Sequence, residues 1–325
     1  MSSPWRSVLA TNAREDARNL VVRRASGWLR RRLGNFDLPR EQESWCEARR
    51  TALAELALVC LVLRRLPSAA SRYGWLIEPA TRLLIGAFRR KEVHSFLAEG
   101  PVGAFAGHLL IWLALPRQTA ENVVSRPELE ALLELRNVTR VERTPMRALE
   151  LRYLLDLAGL QHDLGSWREL YRRTLAATRP VTASLEPSDI YSITHTVFYV
   201  TDFGRAPARA LSRAERLRLI RMTEPLQERM IQARHWDLVA ELILTRSCLA
   251  GGETRADHVA WEALARAQAE EGHFLSAETR RALERGCSSS RARREILFLA
   301  GYHTCLVVIL AGALSGFRSE PRKPA

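Results

Sequence analysis

Apolar residues recur along this chain at three- and four-residue spacings, and the two-residue alternation of strands is nearly absent. Over 42–66 the positions Trp45, Ala48, Ala52, Leu56, Val59 and Leu63 fall on one face of a helix. The same pattern predicts helices near 69–90, 94–115, 127–136, 145–160, 165–177, 188–201, 211–232, 235–249, 256–270, 277–286 and 291–314. Val197-Phe198-Tyr199-Val200 is the one β-prone run, and its flanks favour helix. Short Gly, Pro, Ser and Asp punctuation separates the segments. Ser188-Asp189 caps the helix after Pro187, Gly204 ends it, and Gly251-Gly252 closes the helix over 235–249. Connections this short make successive helices antiparallel neighbours. The fold class is all-α.

From about residue 145 onward, helix pairs recur roughly every 40 to 50 residues, the period of helical-repeat architectures, either open solenoids or closed α/α barrels. The expected organisation is a basic arm over 1–40, a helical layer over 41–144, a repeat domain over 145–318 and a tail over 319–325.

Charge changes this picture in one place. The 325 residues carry 49 basic against 36 acidic side chains, a net +13, and only Lys91 and Lys323 are lysines. A basic excess made of arginine, with abundant Ala and Leu, reads as the codon bias of a GC-rich bacterial genome more than as selection for phosphate contacts. Residues 1–40 hold nine Arg against Glu15, Asp16 and Asp37. That arm is either a solvated helix face or a docking element for an acidic partner such as a peptide or a diphosphate. Nucleic acid is disfavoured, because no recognition helix stands out and aromatics do not interleave with the Arg clusters. Five widely spaced cysteines, Cys46, Cys60, Cys248, Cys287 and Cys305, form no CxxC pair, which points away from a disulfide framework and toward a reducing compartment. No signal peptide opens the chain, and the run Leu306–Leu314 is short of the ~20 residues a bilayer needs. The expectation is a soluble cytoplasmic protein without a membrane span.

Three constellations carry candidate chemistry. If the helix after Pro187 continues far enough, His195, Tyr199 and Asp202 stack at i, i+4 and i+7, with Thr194 and Thr201 beside them and Ile193, Val197 and Val200 opposite. This is either a polar cavity wall or a buried hydrogen-bond network in which Asp202 satisfies His195. Tyr302-His303-Thr304-Cys305 opens the last apolar run, where His303 is a metal ligand, a general base or a structural donor. Gln161-His162-Asp163-Leu164-Gly165-Ser166-Trp167 reads as a loop with Asp163 or Ser166 as a helix cap, and His235-Trp236-Asp237 as a helix start with Asp237 at the positive dipole end. HExxH, P-loop, GxGxxG, GxSxG and aspartate-rich boxes are all missing from the sequence.

The segments Trp261-Glu262-Ala263-Leu264-Ala265-Arg266-Ala267-Gln268, Glu271-Gly272-His273-Phe274 and Tyr302-His303-Thr304-Cys305 together resemble the α/α-toroid superfamily of terpenoid cyclases and protein prenyltransferase β subunits. The resemblance implies a ring of helical hairpins and makes His303 the counterpart of a zinc-binding histidine. The Asp-x-Cys pair of those enzymes has its nearest counterpart in Asp237-Leu238-Val239, with valine where the thiolate stands. The phrase running from Thr194 to Gly204 also resembles a motif of actinobacterial proteins of unknown function that are often encoded with natural-product pathways.

Two functions follow as expectations. In the first, a tailoring enzyme or accessory protein of bacterial secondary metabolism acts on a peptide, isoprenoid-like or other small-molecule substrate in a helical cavity. His195 is its base or metal ligand, Asp202 orients His195, Tyr199 donates to developing charge, and His303 completes the site. Thr194, Thr201 and Tyr302 contact substrate, while His303 and Asp237 are the residues available to zinc. In the second, the chain is a non-catalytic helical-repeat module that binds a peptide or protein.

Overall fold

A computed structural model describes residues 4–38, 47–67, 69–93, 102–206, 210–250, 253–286 and 289–319. The chain is all-α, and no strand occurs among the described residues. In chain order the helices are α1 (Pro4–Arg32), α2 (Glu47–Arg64), α3 (Ala69–Arg72), α4 (Gly74–Phe88), α5 (Ala104–Ala114), α6 (Arg117–Val123), α7 (Arg126–Leu135) and α8 (Pro145–Ala158). They continue as α9 (Trp167–Arg172), α10 (Pro187–Val200), α11 (Arg213–Gln232), α12 (Trp236–Leu249), α13 (Arg255–Ala267), α14 (Ala277–Glu284) and α15 (Ser290–Ser319). Trp45, Cys46, His94, Gly251, Gly252 and Cys287 lie outside the described residues.

Two compact units divide the chain: residues 1–32, 182–187 and 216–325 form the first, and residues 33–181 and 188–215 the second. The expected repeat domain over 145–318 is thus shared between two units. Segments 145–181 and 188–215 pack with the α2 layer, a long-range choice that a one-dimensional period does not encode.

In the first unit α12 packs along α15, and α1 lies against α15 and α13. Most of the expected basic arm is the 29-residue helix α1, and it is not merely solvated: Val21, Ala25, Trp28 and Leu29 form a fully buried stripe on it. The segment that resembles the toroid enzymes clasps this helix. The Gln268 amide donates to the Val21 and Gly272 carbonyls at 3.0 and 2.9 Å. Gly272 has φ +106°, and a Cβ there would stand 2.1 Å from the Arg24 carbonyl oxygen, so only glycine fits. Trp28 stacks between His273 and Phe298, at 5.7 and 6.5 Å between ring centroids. Within α15, Ser290–Ser315 is long and apolar enough to cross a membrane by length and composition, yet most of it is buried inside the fold as a core helix would be.

In the second unit α2 is central, packing on α4 and α5, while α5 reaches α8. The predicted α2 stripe holds from Ala52 onward, with Ala52, Leu56, Val59 and Leu63 buried, whereas Ala48 in the first turn is exposed. Three local devices then set the segment that follows. Ser125 and Glu128 form a capping box on α7. Thr144 caps α8 ahead of Pro145, and Gly159 ends α8 at φ 66°. Ser166 and Glu169 form a second capping box that starts α9, as the loop reading of 161–167 expects for Ser166.

Candidate functional site

The second unit holds His195, Tyr199 and Asp202, but the expected stack does not extend to the carboxylate. α10 stops at Val200, and Asp202, Phe203 and Gly204 take left-handed φ of 49°, 51° and 75°. The turn swings Asp202 off the His195 face. Asp202 accepts from both terminal nitrogens of Arg65 at 2.7 Å each, from the Tyr153 hydroxyl at 2.9 Å and from Arg205 at 3.2 Å. His195 instead turns Nδ1 to the Tyr191 carbonyl at 2.9 Å. The expectation that Asp202 orients His195 is therefore corrected, and the reason is the early helix end. The Tyr199 hydroxyl donates to Glu150 at 2.8 Å. Burial, with Glu150 nearby, drives this phenol well above its ordinary range, and burial with Asp202 does the same for Tyr153. Thr201 donates to the Val197 carbonyl at 2.7 Å and accepts from the Gly204 N–H, while Thr194 donates to the Tyr191 carbonyl at 3.0 Å. The cavity beside Tyr153, Asp156, Trp167, Tyr199 and Asp202 holds about 40 Å³, room for a few waters and far below the ~300 Å³ of a small-molecule site.

The first unit holds His303, Tyr302 and Asp237. Tyr302 is buried and stacks on Phe298 at 5.4 Å. His303 Nε2 lies 3.5 Å from the Glu241 carboxylate, which is 1% exposed. Glu241 follows Asp237 by one helical turn on α12, and Asp237 accepts from, or shares its proton with, His235 Nδ1 at 2.6 Å. Burial pushes the Asp237 carboxyl up to about 6; the His303 charge opposes this and Glu241 adds to it. Sequence reading named His303 and Asp237 but missed Glu241, whose single signal was its place four residues after Asp237. Zinc does not fit this donor set. Val239 occupies the thiolate position, Cys305 donates toward the Gly272 carbonyl, and burial raises its thiol far above the ordinary range. Among the described residues no three His, Cys, Asp or Glu side chains are grouped to hold a metal.

A wider cavity than the one beside Tyr153 lies in the same unit. A groove of about 610 Å³ opens between α7, contributing Glu130, Leu133 and Glu134, and two loops that contribute Thr139, Arg140 and Gln161-His162-Asp163. Leu133 is the one apolar residue among those lining it, and the stems of the polar side chains supply further apolar surface. The Thr139 hydroxyl bonded to Asp163 holds that carboxyl below its ordinary value, and Arg140 and His162 act in the same direction. Behind the groove, His162 Nε2 lies 2.9 Å from Asp156 Oδ1, and the Trp167 indole donates to Asp156 Oδ2 at 2.9 Å. Sequence reading took His162 as part of a capping loop and missed its pairing with Asp156. The signal was there: Asp156, the helix-ending Gly159 and His162 fall within one reversal of the chain.

These features define an all-α protein with a polar groove walled by a carboxylate-anchored histidine. The chain matches, over residues 22–313, the family described as a domain of unknown function (DUF6895), and it belongs to that family. No curated protein and no solved structure matches it.

Proposed function

We propose that the protein is a tailoring or accessory protein of bacterial secondary metabolism and that it acts on a peptide lying in the groove of the second unit. The observation that carries this reading is the groove itself: about 610 Å³ lies within the size range of ligand sites, and its walls present carboxylates, the amides of Asn137 and Gln161, a hydroxyl and a guanidinium. An extended peptide has backbone donors and acceptors to match such walls. A cytoplasmic setting accords with the buried free thiols of Cys60, Cys248 and Cys305.

The test is selection from a displayed random-peptide library on the full chain, repeated on Glu134→Arg. Enriched peptides are expected to lose at least tenfold in affinity on the variant. Peptides that bind both forms equally, or no enrichment at all, would sink the groove reading. One observation favours the non-catalytic alternative, in which the groove only binds: His195 and Asp202 face separate partners. In that case the selected peptides leave the protein with unchanged mass.

A further inference from the structure

We propose that the arginine-rich surface of the first unit, spread over α14 and the start of α15, is a docking site for an acidic segment of a partner protein. It is independent of the groove in the second unit.

The charge is set in the sequence. Residues 277–295 hold Arg280, Arg281, Arg285, Arg291, Arg293 and Arg294 against Glu278, Glu284 and Glu295, a net +3. All six arginines are exposed, and α14 packs on α15, which joins them into one surface. Among the described residues none of the six makes a side-chain hydrogen bond or an ion pair. The Arg-rich composition accounts for the number of these side chains but not for their isolation. On exposed helices of the second unit, Arg117 and Arg126 reach Glu121 and Glu130 one turn on, at 2.8 and 3.1 Å. No acidic residue stands in the first turn of α15, where one would balance the positive end of the helix dipole. Like charges held on neighbouring turns cost stability, and no partner within the described residues offsets that cost.

The positive surface continues toward α1. Burial lowers the His273 pKa, Glu271 opposes this, and Arg32 and Arg280 lower it further. The last turn of α1, which carries Arg30, Arg31 and Arg32, therefore shares one electrostatic neighbourhood with α14. Glu271 is already committed there, its carboxylate to Arg32 at 3.0 Å and its carbonyl to Arg31 at 2.9 Å.

The side chains also select among anions. A guanidinium presents two parallel N–H donors to a carboxylate, so an acidic peptide segment satisfies these groups one by one. A bilayer fits less well: among the described residues of this stretch Ile296 is the one large apolar side chain exposed, at 38%, and the apolar run of α15 is mostly buried. Nucleic acid fits less well too. No aromatic residue lies between 275 and 297 to stack on bases, and Glu278, Glu284 and Glu295 interrupt the track a continuous phosphate backbone requires.

The experiment is fluorescence anisotropy of a labelled hexaglutamate amide titrated with the full chain at low and at raised salt. Arg280→Glu/Arg294→Glu reverses two charges of the surface. Arg173→Glu/Arg179→Glu makes the same change of net charge at exposed arginines of the second unit. All four positions are exposed, so both variants are expected to melt with wild type. Wild type is expected to bind with an affinity that falls as salt rises. The first variant is expected to lose about tenfold, and the second less than about twofold. Equal losses in the two variants would mean that the probe senses only net charge and would overturn the site, as would an absence of binding to wild type. Oligothymidylate of the same charge and phosphatidylcholine vesicles containing phosphatidylserine are the competing probes. Tighter binding of either one through Arg280 and Arg294 would overturn the acidic-peptide assignment in favour of a phosphate-bearing partner.

Discussion

Asp202 and Asp156 lie in the same unit, and each is bonded by an aromatic side chain and approached by arginine, yet they do different things. Asp202 is enclosed by Arg65, Tyr153 and Arg205, with four donor contacts between 2.7 and 3.2 Å. Arg65 spends both terminal nitrogens on Asp202, and the Tyr153 hydroxyl is committed to the same carboxylate. Asp156 takes the Trp167 indole and His162, and His162 passes the connection on to a second nitrogen with no partner. The first network fixes a strained turn. The second ends in a buried ring nitrogen with no partner in the protein. Dense bonding around a carboxylate is therefore a poor mark of function by itself.

If that distinction holds, enclosed carboxylates should report in stability. The largest effect is expected at Asp257, whose partner Arg246 is fully buried and held besides by Gln227 at 2.6 Å. Asp257→Ala strands that guanidinium and also removes the capping box with Thr254. A loss of about 3–5 kcal/mol is expected in urea unfolding. A loss below about 1 kcal/mol would break the comparison, since buried enclosure would then carry little stability. Asp202→Asn comes next. Asparagine tolerates the φ of 49° and keeps the shape, so the change isolates the charge. Arg65 is 23% exposed, so solvent screens part of the loss, and about 2 kcal/mol is expected by the same measurement.

The two networks also differ in how far the sequence reveals them. The α2 stripe from Ala52 to Leu63 and the Ser166 cap were legible because both are local patterns. The early end of α10 was not, since the stack of His195, Tyr199 and Asp202 assumes a helix that runs on to Gly204. Three left-handed residues in a row leave only that one glycine as a trace. Arg65 lies 137 residues from Asp202, and no spacing rule joins them. The buried stripe on α1 was present as Val21, Ala25, Trp28 and Leu29 but was masked by the arginines around it. The pairing of Asp156 with His162 spans only six residues, so it was available in principle; a capping loop explained the same letters.

Asp237 stands between the two extremes and sharpens the comparison through pH. Its carboxyl rises from 3.8 to about 6, so the folded state holds this proton more tightly than the unfolded chain. Wild-type stability should therefore fall as pH rises from about 4 to about 6, and the missing part stays absent above that window. Asp237→Asn removes this dependence while keeping an acceptor for His235. Above pH 6 the variant is expected to be more stable than wild type by about 1–2 kcal/mol, a figure reduced for its 23% exposure, and equal to it near pH 4. Parallel melting curves from pH 4 to pH 8 check the sign. A variant less stable than wild type at pH 8 would mean that the ionised Asp237 is enclosed as Asp202 is.

The smallest stability change is expected at His162. His162→Gln keeps a donor within reach of Asp156, removes the unpartnered Nδ1 and leaves a modest void. The relief of an unmet buried acceptor and the loss of ring packing act in opposite directions, so urea unfolding should move by less than about 1 kcal/mol. A loss of several kcal/mol in stability would put His162 with Arg65 and Arg246 as a fold-fixing group. His162 would then be a packing residue of the loop that follows Gly159, and the difference between Asp156 and Asp202 would be one of degree.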